Sequence, residues 1–310
     1  MSRRLHRYQV PATPGPFPVR IGRRRALKLA GLAGFACVFG GVAQAASQRV
    51  VVLDWGAAET MIAMGNKPLG LAELPAYDQV VGPTERAGSD IVDVGLRLAP
   101  NAEALHALQP SLIVINSAQI YMRSSLERFA PVHVFEIYGT EGEPYAMAEQ
   151  ATTELGDALG AADAASELKG RVRSELATTR QRLSGRPQRP LFVIQLQDQR
   201  HAAVFGKGSL IQAVLDQIGI ANAWQGTADF WGLSVVGLEA FAATPDADMV
   251  YFALPQVDVA AIRASVFWQN LPPVRTGSAI ALPPLWAYGG LPSANRIGVV
   301  LADALMESRG

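Results

Sequence analysis

Residues Ala162–Leu183 read ADAASELKGRVRSELATTRQRL, the longest stretch of the chain that keeps one helical period. Leu168, Val172, Leu176 and Leu183 recur at steps of four, four and seven, which places them on one stripe of an α-helix. Glu167 and Arg171 stand at i,i+4 with the acid first, the favoured order. Gly170 is the one weak point, costing about 1 kcal/mol relative to Ala. Gly160 ahead of the stretch, and Gly185 with Pro187 behind it, are stop signals. At about 1.5 Å per residue the helix is a rod of roughly 33 Å, close to the diameter of a small domain. The chain on either side reads as α/β. The expected organisation is therefore an N-terminal α/β lobe over 46–160, a linking helix over 161–185 and a C-terminal α/β lobe over 186–310.

The first lobe opens with Arg49-Val50-Val51-Val52-Leu53, a β-branched run suited to a buried strand. Gly56–Met64 reads as a helix and Pro68–Leu71 as a short strand. Pro75–Asp90, broken by Gly82, Pro83 and Gly88, reads as an irregular loop. Val94-Gly95-Leu96 then leads to a helix capped by Asn101, followed by Pro110 and the strand Leu112–Ile115. A similar unit recurs later. Val236-Gly237-Leu238 leads into a helix with an early Glu, then Pro245, then the strand Met249–Phe252. The shared order reads as one βαβ step used once in each half. A strand His133–Ile137 and a helix Tyr145–Leu159 close the first lobe. The second continues with strands at Pro190–Leu196, Val204–Gly206 and Ala279–Leu282, and with helices at Ser209–Gln217 and Ser293–Met306.

The chain has 310 residues, 49% hydrophobic and 17% charged, with 27 basic and 27 acidic side chains. Much of the Arg lies in the first 28 residues, so the remainder is mildly acidic and carries no basic run that would suit a nucleic acid. Gly22-Arg23-Arg24-Arg25-Ala26-Leu27-Lys28 resembles a twin-arginine export signal. The apolar run from Leu29 to Val42 is too short to span a bilayer, which needs about 20 residues. Ala43-Gln44-Ala45 is an A-x-A site, so residues 1–45 are expected to be a signal peptide cleaved after Ala45, with a periplasmic destination. The one cysteine, Cys37, excludes an internal disulfide and offers a poor lipoprotein site as the alternative.

The body of the chain lacks the usual enzymatic signatures. His106, His133 and His201 are far apart and in no metal-ligand spacing. There is no G-x-S-x-G, no P-loop, and no G-x-G-x-x-G opening a helix after a strand. Aromatics in loops are present instead. Trp224 and Phe230-Trp231 lie in one Gly-containing loop, and Trp286 and Tyr288 in a Pro- and Gly-containing one. Such side chains either plug the space beneath a loop or line a ligand surface. The first half adds Arg97, after Asp93-Val94-Gly95-Leu96.

These segments are Val92-Asp93-Val94-Gly95-Leu96-Arg97, Val204-Phe205-Gly206, Asn222-Ala223-Trp224-Gln225-Gly226, Phe230-Trp231-Gly232, and Trp286 with Tyr288-Gly289. In order and spacing they resemble the periplasmic ferric-hydroxamate siderophore-binding proteins of iron ABC transporters, in the strut-helix class of binding proteins. The resemblance implies a shallow groove between two α/β lobes joined by one long helix. It implies that Arg97 hydrogen-bonds the hydroxamate oxygens and that Trp231, Trp286 and Tyr288 pack on the siderophore. The family's first-lobe Trp and Tyr fall here at Val81 and Gln119, with Tyr77 and Tyr121 nearby as substitutes.

A tris-hydroxamate around Fe³⁺ is neutral, so one forked donor and aromatic faces suit it. A tris-catecholate would want several cations, for which Arg86 and Arg123 are the candidates. Iron is carried inside the ligand, so no cofactor and no protein metal ligand is expected. The resemblance further implies docking on the inner-membrane permease, which works with its ATPase, through one acid per lobe. Glu103 and Glu239 occupy matching early-helix places, which the helix dipole also favours. A monomer is expected. The alternatives are a haem or corrinoid binding protein of the same class, with Tyr121 or Tyr288 reaching iron, or a periplasmic siderophore-modifying enzyme.

Overall fold

The computed structural model describes residues 48–81, 90–139, 143–185 and 188–307. The twin-arginine motif, Cys37, the Ala45 cleavage site and Arg86 lie outside the described residues. Among the described residues no helix is long and apolar enough to cross a membrane.

The first half runs β1 (Val50–Val52), α1 (Trp55–Ala63), β2 (Gly70–Leu71), α2 (Leu74–Val80), β3 (Val92–Asp93) and a hairpin of β4 (Gly95–Leu96) and β5 (Ala99–Pro100). It continues with α3 (Ala102–Leu108), β6 (Leu112–Asn116), a 3₁₀ turn (Ser117–Met122), α4 (Arg123–Leu126), β7 (Val132–Phe135) and α5 (Pro144–Ala158). Its sheet has the order β3-β2-β1-β6-β7, parallel throughout. Val50, Val51 and Val52 are fully buried, as expected of a parallel strand covered on both faces.

After α6 (Ala162–Leu183) come β8 (Leu191–Leu196), β9 (His201–Phe205), α7 (Leu210–Ile218), β10 (Leu233–Gly237), a second 3₁₀ turn (Leu238–Ala243) and β11 (Asp248–Ala253). Three short helices follow, α8 (Val259–Ala264), α9 (Val266–Asn270) and α10 (Pro272–Arg275), then β12 (Ala279–Ala281) and α11 (Leu291–Glu307). The second sheet has the order β10-β9-β8-β11-β12, with β9 antiparallel to both neighbours. The fold is thus two α/β lobes with the long helix α6 between them.

Two sequence expectations change. Pro75–Asp90 is not all loop: Leu74–Val80 is helical, with Pro in the first turn and buried Tyr77 on its inner face. The helix expected after Val236-Gly237 is only a 3₁₀ turn, because Pro245 pushes Thr244 out of helical geometry (φ −124°, ψ 75°). The linking helix spans the residues that its period marks, Ala162–Leu183. Ala165, Leu168, Val172, Leu176, Thr179 and Leu183 are buried along it, and it packs against α5, α7 and α11. A Cβ on Gly298 of α11 would lie 2.6 Å from Leu176, so glycine sets how closely α11 approaches α6. One apolar layer therefore runs unbroken from Val50, Trp55 and Met61, through α6, to Leu191, Val214 and Leu301.

A second connection crosses the two halves. Glu59 of α1, fully buried, accepts hydrogen bonds from Gly290 N (2.8 Å), Ser293 N (3.2 Å) and Arg296 Nη2 (3.2 Å) at the start of α11. A carboxylate at a helix N-terminus meets unpaired N–H groups and the positive end of the dipole.

Candidate functional site

Arg97 and Leu98 form the tip of the β4–β5 hairpin. Gly95 takes φ 86°, and its N–H donates to Asp93 Oδ1 (2.8 Å), which turns the chain out of β3 into the hairpin. Glu73, in left-handed geometry at the start of α2, donates its own N–H to Gly95 O (2.8 Å). Its carboxylate then receives Arg97 N (3.2 Å) and Arg97 Nε (2.8 Å). The guanidinium carbon lies 4.1 Å from the Trp55 ring centroid and 5.5 Å from that of Trp286. Carboxylate and ring thus fix the fork, while neither Nη has a hydrogen-bond partner among the described residues.

Arg97 lines a cleft of about 460 Å³. Its other wall is aromatic: Trp231, Trp286 and Tyr288 from the second half, with Tyr138 from the first. The rings form a continuous chain. Centroids are 4.8 Å apart for Trp55–Trp286, 5.2 Å for Trp286–Tyr288, 5.8 Å for Tyr288–Trp231 and 5.0 Å for Trp231–Tyr138. Three of these pairs are edge-to-face, the arrangement aromatic quadrupoles favour. The Tyr138 hydroxyl donates to Ala287 O (3.3 Å), and burial raises its pKa strongly. Burial, and then the charge of Asp229, pushes the Tyr288 hydroxyl up to about 12, so it stays a neutral phenol at neutral pH.

The sequence candidates separate in three dimensions. Arg97, Trp231, Trp286, Tyr288, Tyr121 and Gln119 all line the cleft. Tyr121 stands at its rim, 64% exposed. Gln119 is 2% exposed and its amide is already engaged. It donates to Leu53 O (3.2 Å) and Arg97 O (2.9 Å), and its Oε1 accepts from Asn116 N (2.9 Å). Gln119 therefore holds the Arg97 hairpin against the end of β1. Tyr77 does not line the cleft: it is fully buried, with its ring edge-on to Trp55 at 6.0 Å. Val81 is likewise core. Of the loop tryptophans, Trp224 is a plug, filling the space above Gly206 and Gly226. Its backbone N–H donates to Asn222 Oδ1 (2.9 Å), and Asn222 is itself tied to Phe205 O and Gln212. Glu103 and Glu239 are exposed, each in the first turn of its element and away from the cleft.

Sequence reasoning missed Asp54, Trp55, Glu73 and Tyr138. Asp54 had a signal: an acid between a β-branched strand and a helix is an N-cap, and it accepts from Ala57 N (2.8 Å). It also accepts from Asn116 Nδ2 (2.9 Å), is 8% exposed and lines the cleft. Burial raises its pKa against the lowering effect of those hydrogen bonds and of Arg97. Among the described residues no group of three or more His, Cys, Asp or Glu is placed to hold a metal ion.

The family model described as periplasmic binding protein matches residues 50–285. The chain is 35% identical over 258 residues to the iron(3+)-hydroxamate-binding protein FhuD of Escherichia coli K12, covering 83% of this chain and 86% of that protein. The crystal structure of Vibrio cholerae FhuD with Fe³⁺–Desferal superposes with a TM-score of 0.78 at 26% identity, covering 84% of this chain and 99% of that one. The petrobactin-binding protein YclQ of Bacillus subtilis shares the fold, with a TM-score of 0.66 at 20% identity over 83% of this chain and 92% of that one.

Proposed function

The chain belongs to the periplasmic binding protein family, and we propose that it is the substrate-binding component of an ABC importer, taking up iron(III)–hydroxamate siderophores in the periplasm. The observation that carries this reading is Arg97. Its Nε is tied to Glu73 and its guanidinium carbon lies over the Trp55 ring, so both Nη groups remain for a ligand in an aromatic-walled cleft. A hydroxamate oxygen bound to Fe³⁺ keeps partial negative charge and accepts such donors, while the complex as a whole is neutral. The Glu73 carboxylate cancels the Arg97 charge, so the site offers directed N–H groups without a net cation. The rings of Trp231, Trp286 and Tyr288 suit the apolar skirt of such a complex. Iron travels inside the siderophore, and the protein serves as neither its ligand nor an enzyme.

The remaining assignments complete the reading. Residues 1–45 are a twin-arginine-type signal removed after Ala45. The protein acts as a monomer, with lobes over 46–160 and 186–310 and the helix 161–185 between them. Glu103 and Glu239, exposed in the first turns that follow the two matching edge strands, dock on the inner-membrane permease and its ATPase.

Titration of the purified protein with iron(III)–Desferal, ferrichrome, haem and cobalamin, followed by tryptophan fluorescence, tests the reading. Quenching by the ferric hydroxamates is expected. Quenching by haem or cobalamin alone overturns it, and recovery of a chemically altered siderophore shows an enzyme instead.

A further inference from the structure

The charges in the cleft do not balance. Among the described residues its charged lining is Arg97, Glu73 and Asp54. Arg97 and Glu73 neutralise each other at 2.8 Å. Asp54 has no cation at hydrogen-bond distance: its oxygens receive neutral donors, Ala57 N, Asn116 Nδ2 and the Gly56 N–H, and Arg97 acts on it only from farther off. The residue is 8% exposed and lines the cleft. Burial disfavours its charged form, and Arg97, itself paired to Glu73, offsets that only in part, so a cation brought to it by a ligand would relieve the penalty. The capping role does not demand the charge, since Asn caps a helix as well as Asp.

We propose that the cleft selects ferric hydroxamates that carry a protonated amine, whose ammonium group pairs with Asp54. The neutral iron–hydroxamate body meets Arg97 and the aromatic wall, and the amine-bearing arm lies toward the end of β1. The same imbalance works against tris-catecholates, which bring about three further negative charges. This inference rests on the hydroxamate reading and adds the charge class of the ligand.

Two probes that differ only in this charge test it. Iron(III)–Desferal has a free amine, cationic at neutral pH; its N-acetyl derivative is the same complex made neutral. Fluorescence titration of the full chain should give about tenfold tighter binding of the cationic complex, the usual range for a charged hydrogen bond. Asp54→Asn keeps an acceptor for Ala57 N and should abolish the ratio between the two, whatever becomes of the absolute affinities. Equal binding of both complexes by the wild-type protein overturns the inference and leaves the hydroxamate reading standing. A ratio that survives in a folded Asp54→Asn protein removes Asp54 from the role. Binding of neither complex overturns the hydroxamate reading itself.

Discussion

The two halves share one strand order and meet the cleft with different chemistry. In each, the edge strand crosses over two strands to the fourth position, β3 through α3 to β6 and β10 through a 3₁₀ turn to β11. The first sheet is wholly parallel, and its cleft residues follow strand C-terminal ends, where ligands of open α/β sheets collect. Asp54 and Asn116 cap α1 and the 3₁₀ turn with their side chains, whereas Glu73, at the N-cap position of α2, gives its carboxylate to Arg97 instead. Capping favours polar side chains at the first two positions, and the ion pair adds the third polar group to this wall. In the second sheet β9 runs against β8, and Phe205 at its end pairs with Leu233. Trp231, two residues ahead, therefore lies by the start of β8. Helix α7 begins nearby, but its cap Ser209 is 1% exposed and does not line the cleft. Loop aromatics form the wall there instead. One reversed strand thus goes with a change of cleft wall from polar to aromatic.

The largest expected effect comes from separating the halves. Glu59→Ala leaves Gly290 N, Ser293 N and Arg296 without their shared carboxylate in a buried seam. It should lower the unfolding free energy by about 3–5 kcal/mol, read from urea denaturation. Glu59→Gln retains one acceptor oxygen and should lose less. Wild-type stability in Glu59→Ala would mean that apolar packing, and not this hydrogen-bonded seam, joins the halves.

Next come the two walls taken singly. Arg97→Ala removes the polar donor and should weaken ferric-hydroxamate binding by about 1–3 kcal/mol in a fluorescence titration. Trp231→Ala removes one aromatic face and should weaken it by about 1 kcal/mol. Should Trp231→Ala cost more than Arg97→Ala, the aromatic wall and not the cation dominates recognition. An unchanged affinity in Arg97→Ala would take Arg97 out of the site.

Much of this was legible in the sequence where the signal is local. The α6 stripe, the Asn101 cap and the buried Val50–Val52 run are written in periodicity and residue type, and α6 spans the residues that the period marks. Position alone makes Arg97 a lone cation and the tryptophans loop residues; the family resemblance is what singles out Arg97, Trp231, Trp286 and Tyr288 for the cleft. What escaped depends on distant partners. Trp55 becomes the platform of Arg97 only through a hairpin 42 positions later, between residues 55 and 97. Glu73 reaches its position through a left-handed φ of 53°, and Glu59 finds α11 across 231 residues. Tyr77 misled for the opposite reason. A tyrosine near the expected groove looked available, but α2 turns it inward beneath Trp55.

The smallest expected effect concerns pH and again separates the halves. β7, at the edge of the first sheet, carries His133; its topological counterpart β12 is Ala279-Ile280-Ala281 and holds nothing that titrates. The His133 Nε2 is buried without a hydrogen-bond partner among the described residues. Burial lowers its pKa below 6.5, against the raising influence of Glu154. The unfolded chain therefore takes up a proton at a pH where the folded one does not, so folding loses free energy as pH falls below 6.5. The contribution is fully present above that pH. Urea midpoints at neutral and mildly acidic pH should accordingly fall further in the wild-type protein than in His133→Gln, which cannot titrate. Equal falls in the two proteins would place the acid sensitivity of the first half in other groups, and Asp54 is not one of them: its raised pKa makes folding more favourable as pH falls.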